Sequence, residues 1–172
     1  MEELLERHGT VGRQAAASRA EGLPARPALH TVVVTCMDAR IDVYRLFGLA
    51  PGEVHVLRNA GGVVTDDVVR SLAISQRKLD TRDVLIVQHA GCGLSTFTDD
   101  EFAAELVERT GSRPDWRCHT FADPAESVRE GMALLRRNPF LVPGMRVRGF
   151  VLDLAGFGLA EVDGDGSATA VA

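Results

Sequence analysis

The segment TVVVTCMDAR, residues 31–40, contains a predicted strand that is followed directly by a cluster of reactive side chains. Its first five residues, Thr31–Thr35, are all β-branched, as is typical of strands buried on both faces of a parallel sheet. Cys36, Asp38 and Arg40 follow, so a thiol, a carboxylate and a permanent cation lie near the carboxyl end of this strand. If the backbone stays extended, period-two spacing places all three side chains on one face.

A second cluster follows another apolar run. The segment Val84–Val87 (VLIV) predicts a buried strand, and HAGCG, residues 89–93, comes shortly after it. His89 and Cys92 are three positions apart in a turn whose glycines relax the steric limits on the backbone. An imidazole and a thiol can therefore converge on one ion at this turn.

The rest of the chain alternates between strand and helix patterns. Further strands are predicted at Val54–Leu57, Val147–Leu154 and Leu159–Val162. Helices are predicted at about 41–47, 66–79, 99–109 and 124–137. This alternation predicts an α/β fold with a doubly wound, mainly parallel sheet of strand order 2-1-3-4, a short antiparallel edge strand and helices on both faces.

The predicted topology brings the two clusters together. In a sheet of this order the chain reverses direction between strands 1 and 3, and ligands bind outside the carboxyl ends of the strands at that point. Two thiols and an imidazole form a ligand set for zinc, and three protein ligands leave one coordination position open, as in catalytic sites. We therefore expect one Zn²⁺ per chain, held by Cys36, His89 and Cys92.

The carboxylate and the cation beside the first thiol suggest a catalytic dyad. Asp38 can accept the hydrogen of a zinc-bound hydroxide and direct its oxygen toward an electrophile. Arg40 can hold Asp38 in a bidentate pair that lowers the pKa of its carboxyl group. The same carboxylate can also become a fourth zinc ligand, so the sequence leaves open whether the resting site is open or closed.

The turn RNAGG, residues 58–62, together with Val63 supplies candidate substrate contacts. Gly61 and Gly62 offer backbone amides to an anionic ligand, and Val63 offers an apolar wall. A tight turn and core packing are the alternative explanations for these three residues.

Outside these clusters, the pair Cys118-His119 is expected to be a free thiol and a surface imidazole rather than a second metal site. His55 and His119 both remain candidates for a proton relay, and the sequence favours neither.

Composition limits the class of protein. The chain has 172 residues, of which 45% are hydrophobic and 25% charged, as expected for one globular domain. A formal net charge of −5 argues against a nucleic-acid partner. With no apolar run long enough to span a bilayer and no secretory signal, we expect no membrane partner and a cytoplasmic location. The odd number of cysteines, 3, fits ligands or free thiols better than disulfides.

The expected organisation has three parts. Residues 1–28 form an N-terminal arm, 29–162 the zinc-binding α/β catalytic domain and 163–172 a flexible tail. The segment GLPARP, residues 22–27, ends any helix in the arm. The arm is either mobile or wraps a partner subunit.

At these motifs the chain resembles the β-class carbonic anhydrases, in particular their compact prokaryotic branch. CMDAR at 36–40 matches that family's Cys-x-Asp-Ser/Ala-Arg, and RNAG at 58–61 and HxxCG at 89–93 match its next two motifs. The order and separation agree over roughly residues 30–155. One departure is Ala90, where the family usually has Thr after the ligand His, so this ligand turn lacks a hydroxyl group.

The resemblance implies reversible hydration of CO₂ to bicarbonate and a proton. It implies Cys36, His89 and Cys92 as zinc ligands, Asp38 with Arg40 as the dyad, and a homodimer or a dimer of dimers. Two alternatives stay open: hydrolysis of carbonyl sulfide or carbon disulfide on the same scaffold, and a non-catalytic zinc or redox dithiol domain.

Overall fold

A six-stranded sheet forms the centre of the structure, a computed structural model that describes residues 1–163 and 168–170. In chain order its strands are β1 Thr31–Cys36, β2 Val54–Asn59, β3 Asp83–His89, β4 Arg146–Leu152, β5 Leu159–Val162 and β6 Ala168–Ala170. They lie in the order β2-β1-β3-β4-β5-β6, with β1 to β4 parallel and β5 antiparallel to β4. The predicted α/β fold, its 2-1-3-4 order and its antiparallel strand are confirmed.

The sequence does not predict the last strand. Ala168–Ala170 pairs antiparallel with β5, so β5 lies inside the sheet and β6, rather than β5, forms the edge. This strand lies within the predicted tail at 163–172, of which 164–167 and 171–172 lie outside the described residues. The sequence Ala-Thr-Ala gives a weak strand signal, because strand preference depends mainly on side-chain packing and two of the three side chains are single methyl groups.

The described residues form six α-helices. They are α1 Glu2–Arg7, α2 Arg13–Ala20, α3 Val43–Phe47, α4 Asp66–Leu79, α5 Asp99–Thr110 and α6 Pro124–Arg137. The helices α4 and α5 begin at threonine caps. The Thr65 hydroxyl accepts from the Val68 amide at 3.4 Å, and Thr98 and Glu101 form a reciprocal capping box.

Two apolar layers cover the sheet faces, because successive side chains of β1 point to opposite sides. Val32 and Val34 pack in one layer with residues of α4 and α6, such as Leu72 and Met132. Val33 packs in the other layer, which α3 and the loops after β2 and β3 cover. The carboxyl ends of β1 and β3 open into this second layer.

The first two helices, α1 and α2, are joined by one π-helical turn at His8–Gly12. On α1, Leu4 and Leu5 are 70% and 66% exposed. No helix in the described ranges combines the length and the apolar character that crossing a bilayer requires.

Candidate metal centre

Three ligand atoms converge at the carboxyl ends of β1 and β3, as the topology predicts. One ligand atom each from Cys36, His89 and Cys92 lies within 4.8 Å of the other two, and the two Sγ atoms are 3.9 Å apart. Cys36 ends β1, His89 ends β3, and Cys92 precedes a 3₁₀ turn at Gly93–Ser95. All three side chains are buried, so one ion held here would be screened from bulk water on the ligand side.

The ring of His89 is oriented to bind a metal through Nε2. Its Nδ1 contacts the Ala90 carbonyl at 3.0 Å, and because a carbonyl only accepts, Nδ1 carries the proton. Nε2 then presents a lone pair, and within the described residues it is buried without a hydrogen-bond partner. An unsatisfied buried acceptor of this kind costs about 1–3 kcal/mol, a cost that a bound cation removes.

The departure at Ala90 does not disturb this arrangement. The backbone carbonyl of Ala90, rather than a side-chain hydroxyl, holds the ring of His89. Metal-binding histidines in general donate their second ring N–H to such a group, which fixes the ring and its tautomer.

The two thiols suit a soft divalent cation. Burial raises the pKa of the Cys92 thiol, and the neighbouring Cys36 raises it further. Because a metal binds the thiolate, loading the site releases protons and binding strengthens as pH rises. Two sulfurs and one imidazole nitrogen match the donors that zinc prefers, so the residues fit Zn²⁺.

Asp38 lies at the edge of the ligand cluster in a fixed orientation. Its Oδ1 accepts from the Arg40 amide at 2.9 Å and from Arg40 Nε at 3.0 Å, while Oδ2 accepts from Nη2 at 2.7 Å. These hydrogen bonds from Arg40 hold the pKa of the Asp38 carboxyl well below its usual range. Oδ2 lies 3.8 Å from His89 Nε2, so an ionised acceptor sits beside the ligand atoms.

Arg58 ties the first ligand loop together, a role that the sequence analysis missed. Its Nε donates to the Cys36 carbonyl at 3.0 Å and its Nη2 to the Asp38 carbonyl at 2.7 Å. Its role follows from the parallel register, which places Arg58 opposite Thr35 at the end of β1 and which the sequence does not show. One side chain thereby fixes the backbone of a metal ligand and of the dyad carboxylate.

The turn after β2 packs tightly against β1. At Gly62, with φ of 64°, a Cβ would lie 2.8 Å from the Cys36 amide nitrogen, so only glycine fits there. Gly61 and Val63 line the cavity in front of the ligands, whereas Gly62 is buried against β1 and is absent from that lining. Of the three predicted substrate contacts, the geometry thus gives Gly62 a packing position.

A cavity of about 540 Å³ opens in front of the ligand cluster. Apart from the site residues already described, its wall is largely apolar and includes Leu94, Phe97, Phe102 and Trp116. Cys118 and His119 also line it, although the sequence places them on a surface loop. The sequence could not predict this position, because Cys118 and His119 lie far along the chain from either ligand cluster and reach the cavity through tertiary contacts.

Asp99, the first residue of α5, anchors this loop over the cavity. Its Oδ1 accepts from the Thr120 amide at 2.9 Å and from the Thr120 hydroxyl at 2.8 Å, and its Oδ2 accepts from Arg117 Nε at 2.9 Å. Burial acts to raise the pKa of Asp99, but the hydrogen bonds from Thr120 and Arg117 outweigh it and lower the pKa to about 2. The carboxylate is therefore ionised, and it holds residues on both sides of His119.

Comparison with known proteins agrees with this geometry. A family model described as carbonic anhydrase matches residues 31–141. Beta-carbonic anhydrase 1 of Mycobacterium tuberculosis is 50% identical over 140 residues, which cover 81% of this chain and 86% of that protein. A carbonic anhydrase structure from Streptococcus mutans superposes with a TM-score of 0.81 at 36% identity, covering 91% of this chain and 98% of the other.

A more distant relative carries a different name. A carbon disulfide hydrolase of an Acidianus species is 29% identical over 161 residues, covering 79% of this chain and 78% of that protein. The family model covers more than half of the chain, and the mycobacterial relative matches most of it. This chain therefore belongs to the β-carbonic anhydrase family.

Proposed function

We propose that this chain catalyses the reversible hydration of CO₂ to bicarbonate and a proton, with one Zn²⁺ held by Cys36, His89 and Cys92. The observation that carries the proposal is the convergence of three ligand atoms within 4.8 Å, beside an ionised carboxylate. A sequence identity of 50% to a β-carbonic anhydrase over most of the chain supports the same reaction. Bound at this site, Zn²⁺ would lower the pKa of a water molecule so that a nucleophilic oxygen is available near neutral pH.

Asp38 orients that nucleophile. Its Oδ1 accepts two hydrogen bonds from Arg40, while Oδ2 accepts one and faces the ligand cluster. The remaining lone pair of Oδ2 can accept the hydroxyl hydrogen of the attacking oxygen, which turns the oxygen lone pair toward the substrate. Arg40 keeps the carboxylate ionised and fixed, and Arg58 keeps its backbone in place.

The substrate contacts follow from the chemistry of CO₂, a small linear molecule without a net dipole. Gly61 and Val63 line the cavity next to the ligands, where Val63 offers the apolar surface that such a molecule needs and Gly61 offers backbone to bicarbonate. We assign these two residues to substrate contact and leave Gly62 to packing against β1.

Stopped-flow CO₂ hydration, paired with zinc stoichiometry on the same preparation, tests the proposal. We expect one zinc per chain and hydration well above the uncatalysed rate. Cys92→Ser should lose both zinc and activity, because it removes one buried ligand. Cys118→Ser is the matched control, since Cys118 lines the same cavity but is not in the ligand cluster. Full zinc retention by Cys92→Ser would refute the ligand assignment.

The alternative substrates carbonyl sulfide and carbon disulfide are linear like CO₂. The largely apolar cavity and the Acidianus relative keep hydrolysis of these molecules as a second candidate. We favour CO₂ because the mycobacterial carbonic anhydrase is 50% identical and the hydrolase 29%. Turnover of carbon disulfide far above that of CO₂, measured in parallel, would reverse this preference.

The exposed Leu4 and Leu5 on α1 support an assembly in which the 1–28 arm packs on a second copy. We propose a homodimer or a dimer of dimers, built from the catalytic domain at 29–162. Sedimentation velocity should show a species of at least twice the chain mass, and a double Leu→Ala change at these positions should weaken it. We place the protein in the cytoplasm, where ligand thiols stay reduced.

A further inference from the structure

His119 lies at the rim of the cavity that contains the ligand cluster. It is exposed to solvent and lines the same cavity as Asp38 and His89. It therefore contacts both bulk water and the space in which the reaction takes place. His89 itself is a metal-ligand candidate and is fully buried.

The other histidines are occupied or placed elsewhere. Both ring nitrogens of His55 are engaged, Nδ1 with the Ser75 hydroxyl at 2.7 Å and Nε2 with the Ala25 carbonyl at 3.1 Å. His30 precedes β1 at the amino end of the sheet, where its Nδ1 donates to the Asp80 carbonyl at 2.7 Å. The fifth histidine of the chain, His8, lies on the N-terminal helical segment, where it is exposed and does not line the cavity.

The backbone around His119 is held in place. The Asp99 carboxylate accepts hydrogen bonds from Arg117 and Thr120, which lie two residues before and one residue after His119. His119 itself has φ of 58°, in the left-handed region. The imidazole is thus presented from an anchored loop rather than from a free one.

The remaining titratable groups of the cavity wall are poor proton acceptors near neutral pH. Asp38 is ionised and paired with Arg40, whose hydrogen bonds hold the pKa of that carboxyl well below its usual range. Burial raises the pKa of the Cys118 thiol, and Arg117 is a permanent cation. Cys36, His89 and Cys92 are reserved for the metal. Imidazole is the side chain that exchanges protons in the physiological pH range.

We propose that His119 is the proton-transfer residue of this enzyme, an inference that rests on the proposed CO₂ hydration. Hydration converts CO₂ and H₂O into HCO₃⁻ and one H⁺, and this proton has to leave the cavity before the next turnover. The neutral imidazole of His119 takes the proton, relayed by water. It then gives the proton to a buffer base outside, which restores the neutral ring.

The test compares His119→Asn with His8→Asn as the matched control. Asparagine tolerates the left-handed backbone but does not titrate near neutrality, so the loop should keep its shape. In dilute buffer we expect kcat for hydration to fall between about tenfold and 100-fold in His119→Asn, at or below the lower end of what positioned acid–base groups contribute. The value of kcat/KM should not change, because proton export follows the interconversion of CO₂ and bicarbonate. His8→Asn should match the wild type in both constants.

Rescue by an external base completes the test. Raising the concentration of 1,2-dimethylimidazole, whose methyl groups hinder metal binding, should restore kcat in His119→Asn and affect the wild type little. Two results would overturn the inference: an undiminished kcat in dilute buffer, or a parallel fall in kcat and kcat/KM that the base does not rescue. Failure of the proposed function is recognised separately, because the wild type would then show no hydration.

Discussion

Oδ2 of Asp38 lies 3.8 Å from Nε2 of His89, so the dyad carboxylate directly borders the ligand cluster. The contact would give Asp38 access to a small molecule bound beside the three ligand atoms. The fixed geometry comes from Arg40, which binds both carboxylate oxygens and the same loop's backbone amide. Under the proposed function, this arrangement would separate metal binding by the two thiols and the imidazole from orientation of the nucleophile by Asp38.

Changing Asp38 to Ala should therefore leave zinc in place while turnover falls by about 10²–10⁴-fold, the range for positioned groups that act on a proton in the transition state. Stopped-flow hydration with elemental analysis of the same sample checks both parts. Asp67→Ala, an exposed carboxylate on α4, is the control and should leave both values at the wild-type level. Undiminished turnover in Asp38→Ala would leave the dyad without a catalytic role.

Arg58→Lys should weaken the site although the charge is kept. Lysine cannot span the Cys36 and Asp38 carbonyls with the planar fork that Arg58 uses. Groups that support metal ligands are typically worth about 10–100-fold in metal affinity or activity, and we expect a loss in that range. Zinc competition with a chelator, followed by the hydration assay, measures it.

The control for Arg58 is Arg70→Lys, because Arg70 is exposed and pairs only weakly with Asp67 at 3.3 Å. It should bind zinc as the wild type does. Equal zinc affinity in the two variants would contradict the role given to Arg58.

Gly62→Ala should destabilise the fold more than Gly48→Ala. Both glycines have φ of 64°, so both variants carry the strain of a left-handed alanine, about 1–2 kcal/mol. Only at Gly62 would the added Cβ meet backbone, 2.8 Å from the Cys36 amide nitrogen, whereas Gly48 has open space. Overpacking adds about 1–3 kcal/mol, so the difference in unfolding free energy should be of that size.

Urea denaturation of the two glycine variants gives this difference directly. The same variants should differ in zinc content, because the clash at Gly62 displaces a ligand's backbone. Equal unfolding free energies of Gly62→Ala and Gly48→Ala would contradict this prediction, because they would mean that the turn can move away from β1 at no cost in free energy.

Asp99 should contribute stability that depends on pH in a defined direction. Its folded pKa of about 2 lies below the ordinary value of about 3.9, so its contribution is present above about pH 4 and is lost as pH falls toward 2. Asp99→Asn should therefore be less stable than the wild type at pH 7, and the gap should shrink as the solution is acidified. Denaturant unfolding at several pH values measures the gap.

Asp100→Asn is the neighbouring control, since Asp100 is 93% exposed and its ion pair to Arg113 is 3.3 Å long. It should change stability little at any pH. A constant gap between wild type and Asp99→Asn over the acid range would rule out the ionised anchor.

The sequence was sufficient for the sheet order and for the convergence of Cys36, His89 and Cys92, because both depend on short local patterns. β-branched runs such as Thr31–Thr35 define buried strands, and in a doubly wound sheet the carboxyl ends of strands 1 and 3 must meet. The helix starts at Thr65 and Thr98 were predictable for the same reason, since capping is local.

The features that sequence reasoning missed are set by tertiary contacts. Arg58 acquires its role from the register of β2 against β1, and Cys118 and His119 line the cavity from a loop that Asp99 anchors. The strand Ala168–Ala170 depends on pairing with β5, and its small side chains give no periodic signal. The close approach of Gly62 to β1 is also not visible in the sequence, which allowed either a substrate contact or a tight turn at this residue.

Zinc K-edge X-ray absorption on the purified protein tests the central claim most directly. If Cys36, Cys92 and His89 hold the ion, the spectrum contains two sulfur neighbours at about 2.3 Å and one histidine nitrogen at about 2.0–2.1 Å. The fourth neighbour should be a light atom, from solvent or from Asp38. A first shell without sulfur, or with one sulfur only, would contradict the account.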